Sequence, residues 1–432
     1  MKKVSQNWLI IAHCMNMDGQ AASHHVSDKL EYLTRSGISL SLLSAASGSK
    51  DSRYTHYQVF SPFPSGIKFE LRHYIRLRIQ NRILSEILLG ILNLMIFPCY
   101  LLEKVFLPLD SQWSWFISAY FCGRKIIKSK KIDFIYVLGG ASSGFLAAHL
   151  LSKRSRIPFI AECFDPIISC EWRRSRLSFH FNKWIESLIC QHAQAVIWYT
   201  NGARDEALAR NPLLAKRGHV IRPGMQPPDF KGEKYQKTNK IKFAYFGGLS
   251  RERSLLPIIK GVATILLDNP EYSKIIELHV YGGELDNLSR EFIKKTPCAF
   301  LSVHGRLEYD KDSQKSGRQR VLEKMRTSDV LVLIHGVGQI TKLYVPSKTY
   351  EYLWAKRPIM LLTPCPEEWT DLLPEKEHSV LKSEEFDQHL KGFHSFIERW
   401  QTGGLPDCKL SIPFSAEEST QEIIKLAAGK NS

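Results

Sequence analysis

Short apolar runs alternate along this chain with longer stretches in which apolar residues recur every three or four positions. The runs predict strands at Trp8–His13, Ser39–Leu43, Gln58–Phe60, Asp133–Leu138, Phe159–Cys163 and Ala195–Tyr199. A second series covers Lys242–Phe246, Glu277–Tyr281, Ala299–Val303, Val330–Ile334 and Pro358–Leu362. The stretches Ser23–Ser36, Gly144–Arg154, Arg176–Ala193, Leu255–Leu267 and Ser347–Ala355 have a helical period. Strand and helix in alternation predict an α/β architecture of parallel sheets with crossover helices.

The two series are separated by the Pro- and Gly-rich Arg222–Phe230 and the polar run Lys231–Lys240, a linker by composition. We therefore expect two doubly wound, Rossmann-like domains, 1–228 and 229–405. A last segment, 406–432, is expected to pack its helix back on the first domain. Ligands of such sheets sit beyond the carboxyl ends of the strands, so a cleft between two facing domains is the expected site.

One segment, about 66–131, breaks the alternation. It holds the basic Arg72–Arg82, the apolar Ile87–Leu102, the aromatic residues Trp113, Trp115, Phe116 and Tyr120, and the basic Arg124–Lys131. The apolar core, about 15 residues between Glu86 and Glu103 with Pro98 inside, falls short of the ~20 a spanning helix needs. Basic clusters around an apolar, aromatic stretch suit a segment lying in a bilayer interface. The alternative places residues 83–109 in the core as a crossover helix. Lys2 and Lys3 precede the apolar Trp8–Ala12, which is too short for an export signal and suits a first buried strand.

Composition narrows the partners. The 432 residues are 44% hydrophobic and 24% charged, which excludes a disordered or collagen-like chain. A net charge of +16 calls for a polyanionic neighbour: nucleic acid, an anionic membrane face or a phosphorylated substrate. No reading element for nucleic acid accompanies the charge, so nucleic acid is not expected. Nine scattered cysteines without a C-x-x-C spacing give no disulfide framework or zinc site and suit free, mostly buried thiols in a reducing compartment.

The chemistry concentrates in Tyr344–Met360, directly after the strand ending at His335. Pro346 and Ser347 suit a helix start, whose free N–H groups would bind an anion. Glu351, one turn on, can accept hydrogen bonds from the vicinal hydroxyls of a ribose, and Lys348 adds a cation for phosphate. Val-Pro-Ser-Lys-x-x-Glu-Tyr-Leu-x-x-x-Arg-Pro-Ile resembles the donor-binding helix of glycosyltransferase family 4, retaining enzymes of the GT-B fold that use nucleotide sugars.

That resemblance implies roles for further residues. Gly247 and Gly248 would form the turn opening the second domain, and Arg251 and Arg253 would clamp the donor diphosphate. Gly282 and Gly283 would let backbone approach the ligand. Arg306 and Leu307 would lie in the loop that reads the base, and Lys342 beside the sugar site. Gly19, in Met15–Gln20, would belong to a loop closing on donor phosphate. Asp165, after Ala161–Cys163, would orient an acceptor hydroxyl. Many members carry a further Glu where this chain has Leu343, so the donor sugar stays unassigned.

Asp310-Lys-Asp312 matches a metal motif of another glycosyltransferase fold but sits in a charged loop, and His24-His25 lack a third ligand. The expectation is a metal-independent, retaining glycosyltransferase without a resident cofactor, using a nucleotide diphosphate sugar, UDP-sugar above all. It would act on a lipid-linked or envelope glycan acceptor in polysaccharide biosynthesis, as a cytoplasmic protein on the inner face of the cell membrane. A sugar-nucleotide epimerase on the same scaffold and a non-catalytic GT-B partner subunit are the alternatives.

Overall fold

The computed structural model describes residues 6–17, 21–79, 81–169, 174–228, 234–308, 310, 312–409 and 415–429. The chain divides into two compact units. One reaches Gln226 and takes in the carboxyl-terminal helix Ala416–Ala427, and the other begins at Pro227.

The first unit is built on seven parallel strands: β1 (Asn7–Ala12), β2 (Ser39–Ala45), β3 (Thr55–Val59), β4 (Phe134–Leu138), β5 (Phe159–Cys163), β6 (Ala195–Trp198) and β7 (Gly218–Val220). Their order is β3-β2-β1-β4-β5-β6-β7. β4, β5 and β6 are buried along their whole length, as strands covered by helices on both faces must be. Trp8, Ile10, Leu42, Tyr136, Ile160 and Ile197 form the core on one face. Helix Ala416–Ala427 packs on helix Ala21–Arg35 and adds Ile423 and Leu426 to that core. Gln194 Nε2 donates to the Leu426 carbonyl at 2.7 Å.

The second unit carries six parallel strands: β8 (Ile241–Gly247), β9 (Ile276–Gly282), β10 (Leu301–Gly305), β11 (Val330–Ile334), β12 (Ile359–Thr363) and β13 (Ser379–Lys382), in the order β10-β9-β8-β11-β12-β13. Arg357 is fully buried and ties the segment after this sheet. It donates to the carbonyls of Ser328 and Leu405 and pairs with Asp407 at 3.2 Å. The Cys408 N–H donates to the Lys356 carbonyl, so the second unit continues past the expected boundary at 405.

In each sheet the strand order reverses beside the first strand, between β1 and β4 and between β8 and β11. Loops leave such a point on opposite sides and open a crevice at the carboxyl edge. The expected strands are all present, β3 lying a few residues earlier than Gln58–Phe60. The short edge strands β7 and β13 were not expected, because neither contains an apolar run.

The irregular segment forms three helices, Pro64–Arg78, Arg82–Phe106 and Trp115–Ser129. The third turns Trp115, Ala119 and Ile126 inward. The second runs for 25 residues straight through Pro98, starting from an Asn81 cap that accepts the Leu84 N–H at 3.1 Å. The expected stretch of about 15 residues is thus an underestimate, since Glu86 and Pro98 do not interrupt the helix. Nor is it core. Its mean hydropathy reaches 1.8 with only 11% of that window buried, and by length and composition it could cross a membrane. The preceding helix is tied to it at both ends: Arg76 pairs with Glu86 at 2.7 Å, and the Ser65 N–H donates to Glu103 at 2.7 Å.

Candidate functional site

The carboxyl edge of the second sheet gathers most of the candidate donor residues. Gly247 ends β8 with φ +140° and pairs in register with Gly282, which ends β9 with φ +124°. A Cβ at Gly282 would stand 2.7 Å from the Gly247 carbonyl oxygen, so only glycine fits there. Gly283 lies over Gly248, beyond which the space is open. Gly248, Arg251 and Gly283 line one cavity of about 570 Å³, together with Asp286 and Arg290.

Asp286 fixes the shape of this cavity. It caps helix Asn287–Lys295 through the Ser289 N–H at 3.1 Å. It also accepts from Ser254 Oγ at 2.7 Å and from the Leu255 N–H at 3.0 Å, which locks the loop after β8 to the loop after β9. Burial works against its charge, and these donors nevertheless hold its carboxyl below the usual carboxylate range.

The two arginines separate. Arg251 joins the cavity wall, whereas Arg253 runs beside Gly336. There it adds positive charge next to His335, which burial has already pulled down to about 4. The His335 ring bridges Thr363 Oγ1 at 3.1 Å and the Tyr344 carbonyl at 3.0 Å, anchoring the start of the Tyr344–Met360 segment.

Helix Lys348–Trp354 is short. Ser347 occupies its cap position in a helical conformation and makes no side-chain cap, so the expected Ser-capped anion site is not formed by this side chain. Tyr352 is buried and plugs the sheet reversal. Its hydroxyl accepts the Phe246 N–H at 3.0 Å and donates to the Val332 carbonyl at 3.2 Å. Glu351 is 8% exposed and carries two cationic partners. Lys348 binds one oxygen, and Arg318 Nη1 binds the other at 2.7 Å. Burial opposes ionisation of Glu351, but Lys348 and Arg318 outweigh it and keep the carboxyl below its ordinary value.

Arg318 is the residue that sequence reading missed. It stands on helix Gly317–Thr327, whose start is marked by a Ser316/Gln319 capping box. That S-x-x-Q signal predicts a helix but not the partner of its second residue. A Cβ at Gly317 would meet the Leu307 carbonyl at 2.2 Å, so this helix start presses on the loop after β10. Arg318, Lys348 and Glu351 are thereby brought together. Arg306 and Lys342 are exposed.

Two candidates lie elsewhere. Gly19 falls outside the described residues. Asp165 belongs to the first unit, where it follows β5 on the wall of a cavity of about 540 Å³. Solvent reaches it through the opening, while the protein packed around it raises its carboxyl above the usual range. Its neighbour Glu162 is buried and committed to Lys29, Tyr136 and Tyr199, the last at 2.6 Å, so it does not share in that wall.

Among the described residues, Glu377, His378 and Cys408 bring possible metal-ligand atoms within 4.8 Å of one another. His378 Nδ1 accepts the Ile359 N–H at 3.1 Å, which leaves the ring proton on Nε2 and takes that nitrogen out of use as a ligand. Burial pushes the Cys408 thiol up to about 12 and His378 down to about 4, so both rest as neutral packing groups. Asp310 accepts from the Asp312 N–H and Ser313 Oγ at the surface.

No protein-family model and no curated protein matches the sequence. Solved structures do. Anabaena Alr3699/HepE in complex with UDP superposes with a TM-score of 0.56 over 98% of both chains at 11% identity. Sucrose-phosphate synthase from Thermosynechococcus elongatus gives 0.56 at 10% identity, covering 98% of this chain and 97% of its own. UDP-GlcNAc 2-epimerase from Methanocaldococcus jannaschii gives 0.51 at 10% identity, covering 97% and 99%. The fold is GT-B. In this chain the fold is two parallel sheets, each with the strand-order reversal of a doubly wound domain, and most of the donor-site candidates occupy the carboxyl edge of the second.

Proposed function

We propose that this GT-B protein is a glycosyltransferase of the family 4 type, transferring a sugar with retention from UDP-sugar to a hydroxyl of a glycan or glycolipid acceptor at a membrane surface. The observation that carries the reading is Glu351, held ionised by Arg318 and Lys348 at the carboxyl edge of the second sheet. A buried carboxylate with two charged donors and lone pairs to spare suits a ribose diol. The solved structure of Alr3699/HepE contains UDP, which supports the choice of nucleotide.

In this reading Arg251 and Arg253 face the diphosphate from its two sides and stabilise the charge that grows as UDP departs. Gly247, Gly248, Gly282 and Gly283 give the phosphates and sugar backbone contact without a side chain in the way. The leaving diphosphate accepts the acceptor proton on the same sugar face, and Asp165 orients the acceptor hydroxyl. No metal ion is required, because two guanidinium groups supply the countercharge.

Membrane attachment is assigned to helix Arg82–Phe106. Leu94, Met95 and Phe106 are 76%, 71% and 74% exposed, and the adjacent helix supplies Lys68, Arg72, Arg76 and Arg78. That polar partner is tied to both ends of the apolar helix, so crossing the bilayer would carry its charges into hydrocarbon. Lying in the interface on the inner face of the membrane satisfies both helices.

An epimerase shares the fold, which makes interconversion of the sugar nucleotide itself the rival reading. Isothermal titration of the purified chain with UDP, GDP, ADP and TDP, repeated on Glu351→Ala, tests the donor site. Selective UDP binding that the substitution removes is the expected result. Absence of nucleotide binding by folded protein overturns the catalytic reading in favour of a partner subunit. Radiolabelled UDP-sugar incubated with membrane lipids then separates transfer from epimerisation.

A further inference from the structure

The cavity beside Asp165 is lined by residues of the first unit alone, and none of the donor candidates of the second unit is among them. Its floor is the turn Gly139–Ser143, which joins β4 to the 14-residue helix Ser142–Ser155. Gly140 sits at φ +108°, with Cys14 Sγ 3.2 Å from where its Cβ would be, so the turn packs closely on the loop after β1. The cap position, Ala141, has no side-chain cap, and residues 139–143 at the positive end of this helix line the cavity. Ser143 also lines the cavity. It is 2% exposed, and its hydroxyl has no hydrogen-bond partner among the described residues. A buried hydroxyl in that state costs free energy unless a ligand engages it.

One cation at the rim of this floor has no carboxylate partner among the described residues. That residue, Lys104, donates from its ammonium to the Leu109 carbonyl. Arg174 donates to the Ile167 carbonyl at 2.7 Å. Among the described residues that line the cavity, two are acids, and one of them pairs with Arg174. Asp110 is occupied by Ser178 Oγ at 2.7 Å and Asn182 Nδ2 at 2.9 Å, with Arg174 at 3.5 Å. Asp165 stands on the same wall, where burial raises its carboxyl above the usual range. Tyr100 and Lys104 belong to the exposed apolar helix, so the cavity opens beside the surface assigned to lipid.

We propose that this cavity binds a phosphate group carried by the acceptor, with its oxygens on the start of helix Ser142–Ser155, the Ser143 hydroxyl and the Lys104 ammonium. The carrier is an amphiphile whose apolar part leaves along helix Arg82–Phe106. The proposal rests on reading the first unit as the acceptor-binding half of a glycosyltransferase.

The test uses the full chain and isothermal titration with three ligands: UDP, dihexanoyl phosphatidic acid and glucose 6-phosphate. Lys104→Ala should weaken the phosphate ligand about tenfold, as loss of one charge-assisted contact does. Ser143→Asp should abolish its binding, because a carboxylate then occupies the anion position. UDP binding should be unchanged in both variants, which also shows that they fold. Binding of phosphatidic acid identifies a lipid carrier, and binding of glucose 6-phosphate alone identifies a soluble sugar phosphate. Either result upholds the phosphate site if the variants lose it. A wild-type protein that binds UDP but neither phosphate ligand overturns the proposal, as do variants that bind like wild type. Phosphate binding lost in the variants without UDP binding keeps this site and removes the donor reading instead.

Discussion

Arg318 Nη1 donates to Glu351 Oε1 at 2.7 Å, although the two residues stand 33 positions apart and on different helices. The pair explains how a carboxylate 8% exposed remains ionised: one guanidinium and one ammonium divide its two oxygens. In the proposed donor site Arg318 would therefore act on the nucleotide through the orientation of Glu351. Arg318→Ala should weaken UDP binding about tenfold, the usual cost of a charge-assisted hydrogen bond. On a Glu351→Ala background the same change should add little, about twofold at most, because coupled partners do not act additively. A titration series showing full additivity would separate the two residues.

Gly282→Ala should damage both stability and donor binding. The new methyl would lie 2.7 Å from the Gly247 carbonyl, at a φ of +124° that alanine avoids. The expected loss is about 2–4 kcal/mol in a denaturant titration, with UDP binding reduced even where the protein stays folded. Gly248→Ala meets no atom within 4 Å and should leave stability near wild type.

Replacing Leu94 and Met95 with Glu should release the protein from vesicles. Both side chains are more than two-thirds exposed. Burying them in lipid contributes about 3–5 kcal/mol together, which the charged pair would reverse. Flotation on anionic vesicles should fall, while UDP binding and thermal stability stay as they were. Retention on vesicles by the double variant would assign attachment to another surface.

Acid should destabilise the second unit well before its carboxylates titrate. Burial lowers His335 and His378 to about 4 each. Between that value and the ordinary 6.5, the unfolded chain binds protons that the folded one refuses, so stability falls as pH falls. Each histidine should remove about 2 kcal/mol between pH 7 and pH 5. Urea midpoints at the two pH values check this, and a midpoint that rises on acidification contradicts it.

The central strands were legible because they are continuous apolar runs, and β1, β4, β8 and β11 carry the sheet reversals. The loop glycines were legible from their position just after those runs. Arg318 was not, since its reach to Glu351 depends on how helix Gly317–Thr327 presses on Leu307. The two arginines after β8 looked equivalent in sequence, and only loop geometry turns Arg251 to the cavity and Arg253 to Gly336. Helix Arg82–Phe106 was read as shorter than it is. A proline in an exposed helix costs one hydrogen bond, and here it did not end the helix. Tyr352 and Arg357, which looked like parts of a ligand motif, prove to be a plug and a clamp for the sheet.

Helix Ala416–Ala427 has a consequence for how the protein is made. Gln421 meets Ser36 across 385 residues, and Ile423 and Leu426 complete a core whose first strand is β1. On the ribosome the first unit thus waits, with part of its apolar face bare, while the whole second unit emerges and can finish folding. Truncation just before Ser415 should leave a nascent first unit that chaperones hold far longer than they hold the second.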